Sequence, residues 1–200
     1  MRVGGGTLGG RTLKGPSSQN VRPTSDRLRA SIFNVLAHTY DDVANGARVI
    51  DLFAGTGALG IEALSRGAAF ALFVDDSAEG RALLRENIEA LGLGGVTKIF
   101  RRDATKLGPM PPQDRFTLAF LDPPYGKGLA GRALVSLRDG SWLAGDALVV
   151  VEEAADAEID IPEAYRLIEK RDYGDTQILI LKVDCHPGKS QSDLSGIVQE

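Results

Sequence analysis

Asp122-Pro123-Pro124-Tyr125 brings a carboxylate, two imino acids and an aromatic ring together in one short run. Pro123 and Pro124 fix the backbone and carry no amide N–H, so the carbonyls of Asp122 and Pro123 stand in a stiff corner without competing donors. Acceptors held in this way can grip the two N–H bonds of a planar amino group and turn its lone pair out of conjugation. A carboxylate there also offsets the positive charge that grows on nitrogen as it attacks carbon. The Tyr125 ring can stack on a flat substrate. The run predicts transfer of a small carbon group to an amino nitrogen by alignment of two reactants, with no metal and no covalent enzyme intermediate.

A second run, DLFAGTGALG (51–60), has the look of a nucleotide-binding turn. Gly55 and Gly57 follow an apolar strand-like stretch and open a helix-like one, so backbone can approach a ligand without a Cβ in between. Asp75, twenty residues after Gly55, can accept hydrogen bonds from both hydroxyls of a ribose. Those features alone fit a nicotinamide cofactor equally well. Asp51 separates the two readings, because a carboxylate beside a pyrophosphate repels it, whereas a sulfonium and an ammonium group gain from it. Phe53 and Ala54 also place bulk before the turn where a further glycine would suit a dinucleotide. Asp103 adds an acceptor at the height of an adenine amino group. Asp51, Asp75, Asp103 and Asp122 each follow a strand-like run, and such folds bind ligands at that edge. A crevice with four acids suits a cation bearing a ribose and an amino-purine, which describes S-adenosyl-L-methionine.

The first residue of the proline corner points to the acceptor. An amide in that place offers one donor and one acceptor, matching adenine, whereas the Asp122 carboxylate offers acceptors only, matching the guanine N2 amino group and its N1–H neighbour. Guanine N2 is therefore favoured over adenine N6. Adenine N6 of a nucleic acid and a protein glutamine amide remain alternatives, since each presents a planar amino group. A non-catalytic nucleotide-binding module is the alternative from another class. Neither histidine helps an oxidoreductase reading, as His38 falls in the first helical pattern and His186 in the polar tail.

These residues must be positioned by elements that the hydrophobic pattern marks out. Strand-like runs RVIDLF, AFALFVDD, VTKIFRRD, FTLAFLD and DALVVVEE alternate with helix-like ALGIEALSRG, AEGRALLRENIEALG and GLAGRALVSLRD. Alternation of this kind predicts an α/β fold with a doubly wound, mostly parallel sheet. YRLIEKRDYG and DTQILILKV have no helix between them and predict an antiparallel C-terminal pair at the sheet edge, turning at Gly174 and Asp175. Ahead of the sheet, Ser25 or Thr24 caps a helix with an apolar stripe of Leu28, Ile32, Val35 and Leu36. Residues 2–15 read as a flexible hairpin or loop, 152–158 (EEAADAE) as a solvated acidic loop, and Trp142 as a packing residue at a helix end. The organisation expected is a basic arm over 1–24, one catalytic domain over 25–184 and a polar, disordered tail over 185–200.

At 200 residues, with 43% hydrophobic and 25% charged residues, the chain has an ordinary globular composition. A single cysteine, Cys185, excludes an internal disulfide and a cysteine-rich metal site. No apolar run is long enough for a membrane span, and the N-terminus lacks the apolar segment of a secretory signal. A cytoplasmic monomer without metal is expected. Net charge is −4, yet Arg2, Arg11, Lys14, Arg22, Arg27 and Arg29 face only Asp26 within residues 1–29. A basic arm on an acidic body suits a polyanionic partner, with Arg11, Lys14, Arg22 and Arg27 as its contacts.

RPTSDRLRASIFNVL, ARVIDLFAGTGALGIEALSRGA, LFVDDS and FLDPPYGKGL together resemble the bacterial 16S ribosomal RNA guanine-N2 methyltransferases. DLFAGTG and DPPY alone would indicate only an amino-methylating enzyme, and RPTSDR narrows the resemblance. It implies the Rossmann-like class I methyltransferase fold with seven strands, S-adenosyl-L-methionine as donor, and a guanine in small-subunit ribosomal RNA as target, within free RNA or an assembling subunit. By the same resemblance, Asp51, Gly55 and Gly57 border the methionine part, Asp75 holds the ribose, and Asp103 and Ala104 flank the adenine. Asp122 to Tyr125 form the transfer site, and Arg22 and Arg27 stand near its mouth. Asp75-Asp76-Ser77 departs from the Glu-Lys-Asp common in that family, keeping the ribose acid and changing its neighbours.

Overall fold

The computed structural model describes residues 1–16, 25–111 and 115–184. Its centre is a seven-stranded sheet in the order β3-β2-β1-β4-β5-β7-β6. The strands are β1 (Arg48–Leu52), β2 (Phe70–Val74), β3 (Thr97–Phe100), β4 (Phe116–Leu121), β5 (Leu143–Ala154), β6 (Tyr165–Tyr173) and β7 (Thr176–Val183). The first five run parallel, and β7 lies antiparallel between β5 and β6. β1, β2 and β4 are nearly continuous apolar runs because both of their faces are covered, as parallel sheets require. Gly174 and Asp175 make the β6–β7 turn, with Gly174 at φ 64°, as the pattern predicted.

Helices α1 (Asp26–Thr39), α2 (Ala58–Ser65) and α3 (Ala78–Ala90) pack on one face, and α4 (Leu129–Asp139) on the other. Ser25 caps α1, its hydroxyl accepting the Leu28 N–H at 3.1 Å, and the predicted stripe of Leu28, Ile32, Val35 and Leu36 is buried. Every residue of α2 is buried, which explains why it shows no polar face. On the α4 side Trp142 is fully buried as expected, stacked on Phe116 and donating from Nε1 to the Gly108 carbonyl at 2.8 Å.

Two expectations need correction. The described part of the N-terminal segment does turn back on itself like a hairpin, but it is docked on the α1–α3 face rather than flexible. Val3 and Leu13 join the core, Arg2 bridges Thr12, and the Gly4 N–H donates to Glu62 at 2.6 Å. Glu62 itself is buried against Arg29 of α1 and Arg66, so the segment closes over an internal charge cluster. The acidic stretch over 152–158 is a loop only in its second half, because Glu152 and Glu153, which the fifth strand-like run also contained, belong to β5 and are only 5% and 2% exposed, while Asp156 and Glu158 are exposed. Arg22, Thr24 and the tail over 185–200 lie outside the described residues. Among the described residues no helix is long and apolar enough to cross a membrane, and no cluster of side chains fit to hold a metal ion is found.

Candidate active site

A pocket of about 510 Å³ opens at the carboxyl ends of β1, β2 and β4, where the strand order switches from β1 to β4. It is lined by all four acids singled out above, Asp51, Asp75, Asp103 and Asp122, by Phe53, Ala54, Gly55 and Ala104, and by Pro123, Pro124 and Tyr125. Gly57 stands just behind the lining as the left-handed residue (φ 80°) that starts α2. Its left-handed φ and the Leu84 methyl 2.4 Å from any added Cβ leave room for glycine alone. Phe53, at φ 60°, carries the strain of the same turn.

The acids of the pocket are already tied to backbone, which fixes their positions. Asp51, 2% exposed, reaches from β1 to accept the Gly60 N–H at 2.9 Å and so caps α2 from outside the helix. Burial pushes its carboxyl up to about 8; the Gly60 N–H opposes that shift and the nearby Asp75 charge adds to it. Asp75 accepts the Gly55 N–H at 2.7 Å on one oxygen and the Ser77 N–H at 2.8 Å on the other, so this acid also shapes the glycine loop. Asp103 does not end a strand. β3 stops at Phe100, and Asp103 caps a short 3-10 turn by accepting Thr105 N–H and Oγ1 at 2.8 and 2.7 Å. Those two bonds hold its carboxyl below the usual range.

Sequence reasoning missed how the proline corner is anchored. The Tyr125 hydroxyl donates to Glu152 Oε1 at 2.8 Å and lies 3.1 Å from Thr176 Oγ1, while the Gly126 N–H donates to Glu153 Oε1 at 3.2 Å. Burial raises the Tyr125 phenol well above its ordinary value, and the Glu152 charge adds to this. Two consecutive glutamates at the end of an otherwise apolar strand were the available signal.

Asn87 was missed as well. From α3 it accepts the Lys14 N–H at 2.8 Å and donates to the Lys14 carbonyl at 3.1 Å and to the Thr56 carbonyl at 3.0 Å. The N-terminal segment is thereby clasped to the glycine loop, and its Met1 and Pro16 complete the pocket wall. Of the predicted RNA contacts, the described Arg11, Lys14 and Arg27 do not line the pocket. Arg11 is exposed and donates to the Ala90 carbonyl at 3.2 Å, Lys14 is exposed and paired with Glu86 at 2.6 Å, and Arg27 is exposed at the start of α1. His38 sits in the last turn of α1, away from the pocket.

Comparison with known proteins agrees with this geometry. The family described as conserved hypothetical protein 95 matches residues 1–182. Ribosomal RNA small subunit methyltransferase D of Escherichia coli (strain K12) is 38% identical over 153 residues, covering 76% of this chain and 74% of that protein. The Bacillus subtilis (strain 168) protein YlbH is 35% identical over 187 residues, 91% of this chain and 98% of its own length. The solved structure of the Escherichia coli protein yhhF has a TM-score of 0.79 at 30% identity, covering 93% of this chain and 99% of that one.

Proposed function

We propose that this chain, which belongs to the conserved hypothetical protein 95 family and is similar to ribosomal RNA small subunit methyltransferase D, methylates the exocyclic N2 amino group of a guanine in small-subunit ribosomal RNA. The methyl donor is S-adenosyl-L-methionine. One observation carries the proposal: Asp51, Asp75, Asp103 and the Asp122–Tyr125 corner line a single pocket.

The residues present fit that donor. Asp51 is buried, and the charged neighbour that raises its proton affinity is a second acid, Asp75, so a positive ligand relieves a repulsion the protein maintains by itself. About 510 Å³ lies within the range of pockets that enclose ligands of nucleoside size. Asp75 would hold the ribose, Asp103 and Ala104 would border the adenine, and Asp51 with the Gly55 turn would face the methionine portion. When bound, the donor supplies an electrophilic methyl group on a sulfonium.

The chain's own part is to hold the nucleophile. Asp122 accepts N–H from the guanine amino group, which frees the nitrogen lone pair and balances the charge developing there. Tyr125 offers its ring as a stacking platform. A base in a duplex cannot reach this corner, so the target is looped out or extruded, at a cost of a few kcal/mol. Small-subunit ribosomal RNA, free or within an assembling subunit and met in the cytoplasm by a single copy of the chain, is the substrate of this reading. Arg11, Lys14, Arg22 and Arg27 would bind its phosphates.

Methyl incorporation from labelled donor into ribosomal RNA, small subunits and DNA tests the reading, with the product base identified by mass spectrometry. N2-methylguanine in small-subunit RNA is expected, and Asp122→Asn should lower the rate by well over about tenfold. N6-methyladenine as product would overturn the guanine assignment, and undiminished turnover by Asp122→Asn would remove Asp122 from the mechanism.

A further inference from the structure

The transfer corner is held from behind by residues that no feature of the reaction demands. Glu152 and Glu153 are neighbours on β5, so their side chains leave opposite faces of the strand. Both nevertheless grip the same loop, Glu152 through the Tyr125 hydroxyl and Glu153 through the Gly126 N–H. A phenol has one hydrogen. Given to Glu152 Oε1 at 2.8 Å, it leaves the phenol oxygen to accept from Thr176 Oγ1 at 3.1 Å, on the first residue of β7. The ring of Tyr125 is thus pinned at its far end by two strands while Pro123 and Pro124 stiffen the near end.

A purely structural role explains this poorly. Apolar side chains at 152 and 176 would close the end of the sheet without desolvating a carboxylate, and phenylalanine at 125 would stack on a base as well as tyrosine does. What the hydroxyl and its two partners add is a fixed direction for the ring axis, and so a fixed placement of the ring in the pocket it shares with Asp122. Resting on the function proposed above, we propose that Glu152 and Thr176 are positioning residues for methyl transfer. They act through the Tyr125 hydroxyl to set the platform on which the target base stacks. The antiparallel β6–β7 pair then serves the site as well as the fold, since it supplies Thr176.

The test combines kinetics on small-subunit RNA with fluorine NMR of the RNA-free protein labelled with 3-fluorotyrosine. The four tyrosines give few resonances, and that of Tyr125 is identified by its loss in Tyr125→Phe. In Tyr125→Phe and Glu152→Ala, kcat should fall by about tenfold or more, since misplacement of reactants is what the tether prevents. Affinity for S-adenosyl-L-homocysteine should stay within about twofold of wild type, as the tether touches only the acceptor half of the pocket. Glu152→Gln keeps an acceptor oxygen and should recover most of kcat, and the Tyr125 resonance should move in Glu152→Ala and Thr176→Val but little in Glu152→Gln.

Wild-type kcat in Tyr125→Phe, or a Tyr125 resonance indifferent to Glu152→Ala, would overturn the proposal. A Glu152→Gln protein no better than Glu152→Ala would do the same. Should Glu152→Ala fail to fold, Tyr125→Phe decides, because it removes a single oxygen atom. Failure of the wild-type protein to methylate ribosomal RNA would instead sink the function, while the fluorine spectra still judge the tether.

Discussion

Replacing Asp51 by asparagine separates a carboxylate that recognises a cation from one that merely caps a helix. Burial beside Asp75 raises the Asp51 carboxyl to about 8, so in the unliganded protein about one molecule in ten carries the charge at pH 7. A positive ligand selects the ionised form and expels the proton. Linkage then fixes the pH dependence: donor affinity should rise about ninefold from pH 6 to 7, about fivefold from 7 to 8, and less than about twofold from 8 to 9. Calorimetry with S-adenosyl-L-methionine in buffers of different ionisation heat should register close to one proton released at pH 7. The ligand's own amino group titrates against both proteins, so the ratio of wild-type to Asp51→Asn affinity isolates the aspartate. A ratio that stays flat from pH 6 to 9 would refute the argument, leaving Asp51 as a cap for the Gly60 N–H. The same shift contributes to the pH dependence of stability in the empty protein. Because the folded state keeps a proton that the unfolded chain has released above about pH 4, stability should decline as pH climbs from about 4 through about 8.

Gly60→Ala should destabilise the fold by about 1–3 kcal/mol in urea denaturation, since the added Cβ would lie 2.4 Å from the Phe73 ring and 3.1 Å from Asp51 Oδ2. Asn87→Ala leaves the Lys14 amide and the Lys14 and Thr56 carbonyls without their side-chain partner. A loss of about 2–4 kcal/mol is expected, together with faster hydrogen exchange at the Lys14 amide; unchanged exchange there would show that the clasp does not hold the segment. RNA binding should weaken linearly in log–log form with salt, and removal of Arg11 or Arg27 should each flatten that slope by about 0.7–0.9. A slope unaffected by both would move the phosphate contacts elsewhere.

What the sequence made legible follows from how local the cause is. Strands β1, β2 and β4 announce themselves because a strand buried on both faces must be apolar throughout, and the Gly55–Gly57 turn because left-handed backbone demands glycine. The acids at the strand ends could be placed without coordinates, since a parallel sheet brings all its carboxyl ends to one edge. Residues whose partners lie far along the chain were not legible. Glu152 and Glu153 read equally as the end of a strand and the start of an acidic loop until β7 folds back beside β5 and the transfer corner arrives from 27 residues earlier. Asn87 looks like one more polar position on an amphipathic helix, yet it is 2% exposed because the N-terminal segment covers it. That segment was misread for the same reason, its repeated glycines suggesting freedom while Val3 and Leu13 had a distant core to join.

These long-range partners divide the pocket into two separately supported halves. On the donor side, Asn87 joins the N-terminal segment to the glycine loop, and Asp75 and Asp51 tie that loop to β2 and α2. On the acceptor side, β5 and β7 hold the proline corner through Glu152, Glu153 and Thr176. Alignment of nucleophile and methyl group needs each half rigid and the two held at a constant separation. β1 and β4 supply that constancy, as hydrogen-bonded neighbours buried on both faces that carry the glycine loop and the proline corner at their adjacent ends. Asn87 bonds to Lys14 and Thr56 whereas Glu152 bonds to Tyr125, so the effects of substituting them on turnover should multiply, each weakening one half without disturbing the other. A double variant no worse than the poorer single variant would instead show that both supports act on one shared element. The transfer geometry would then be set by a single mobile unit rather than by two fixed ones.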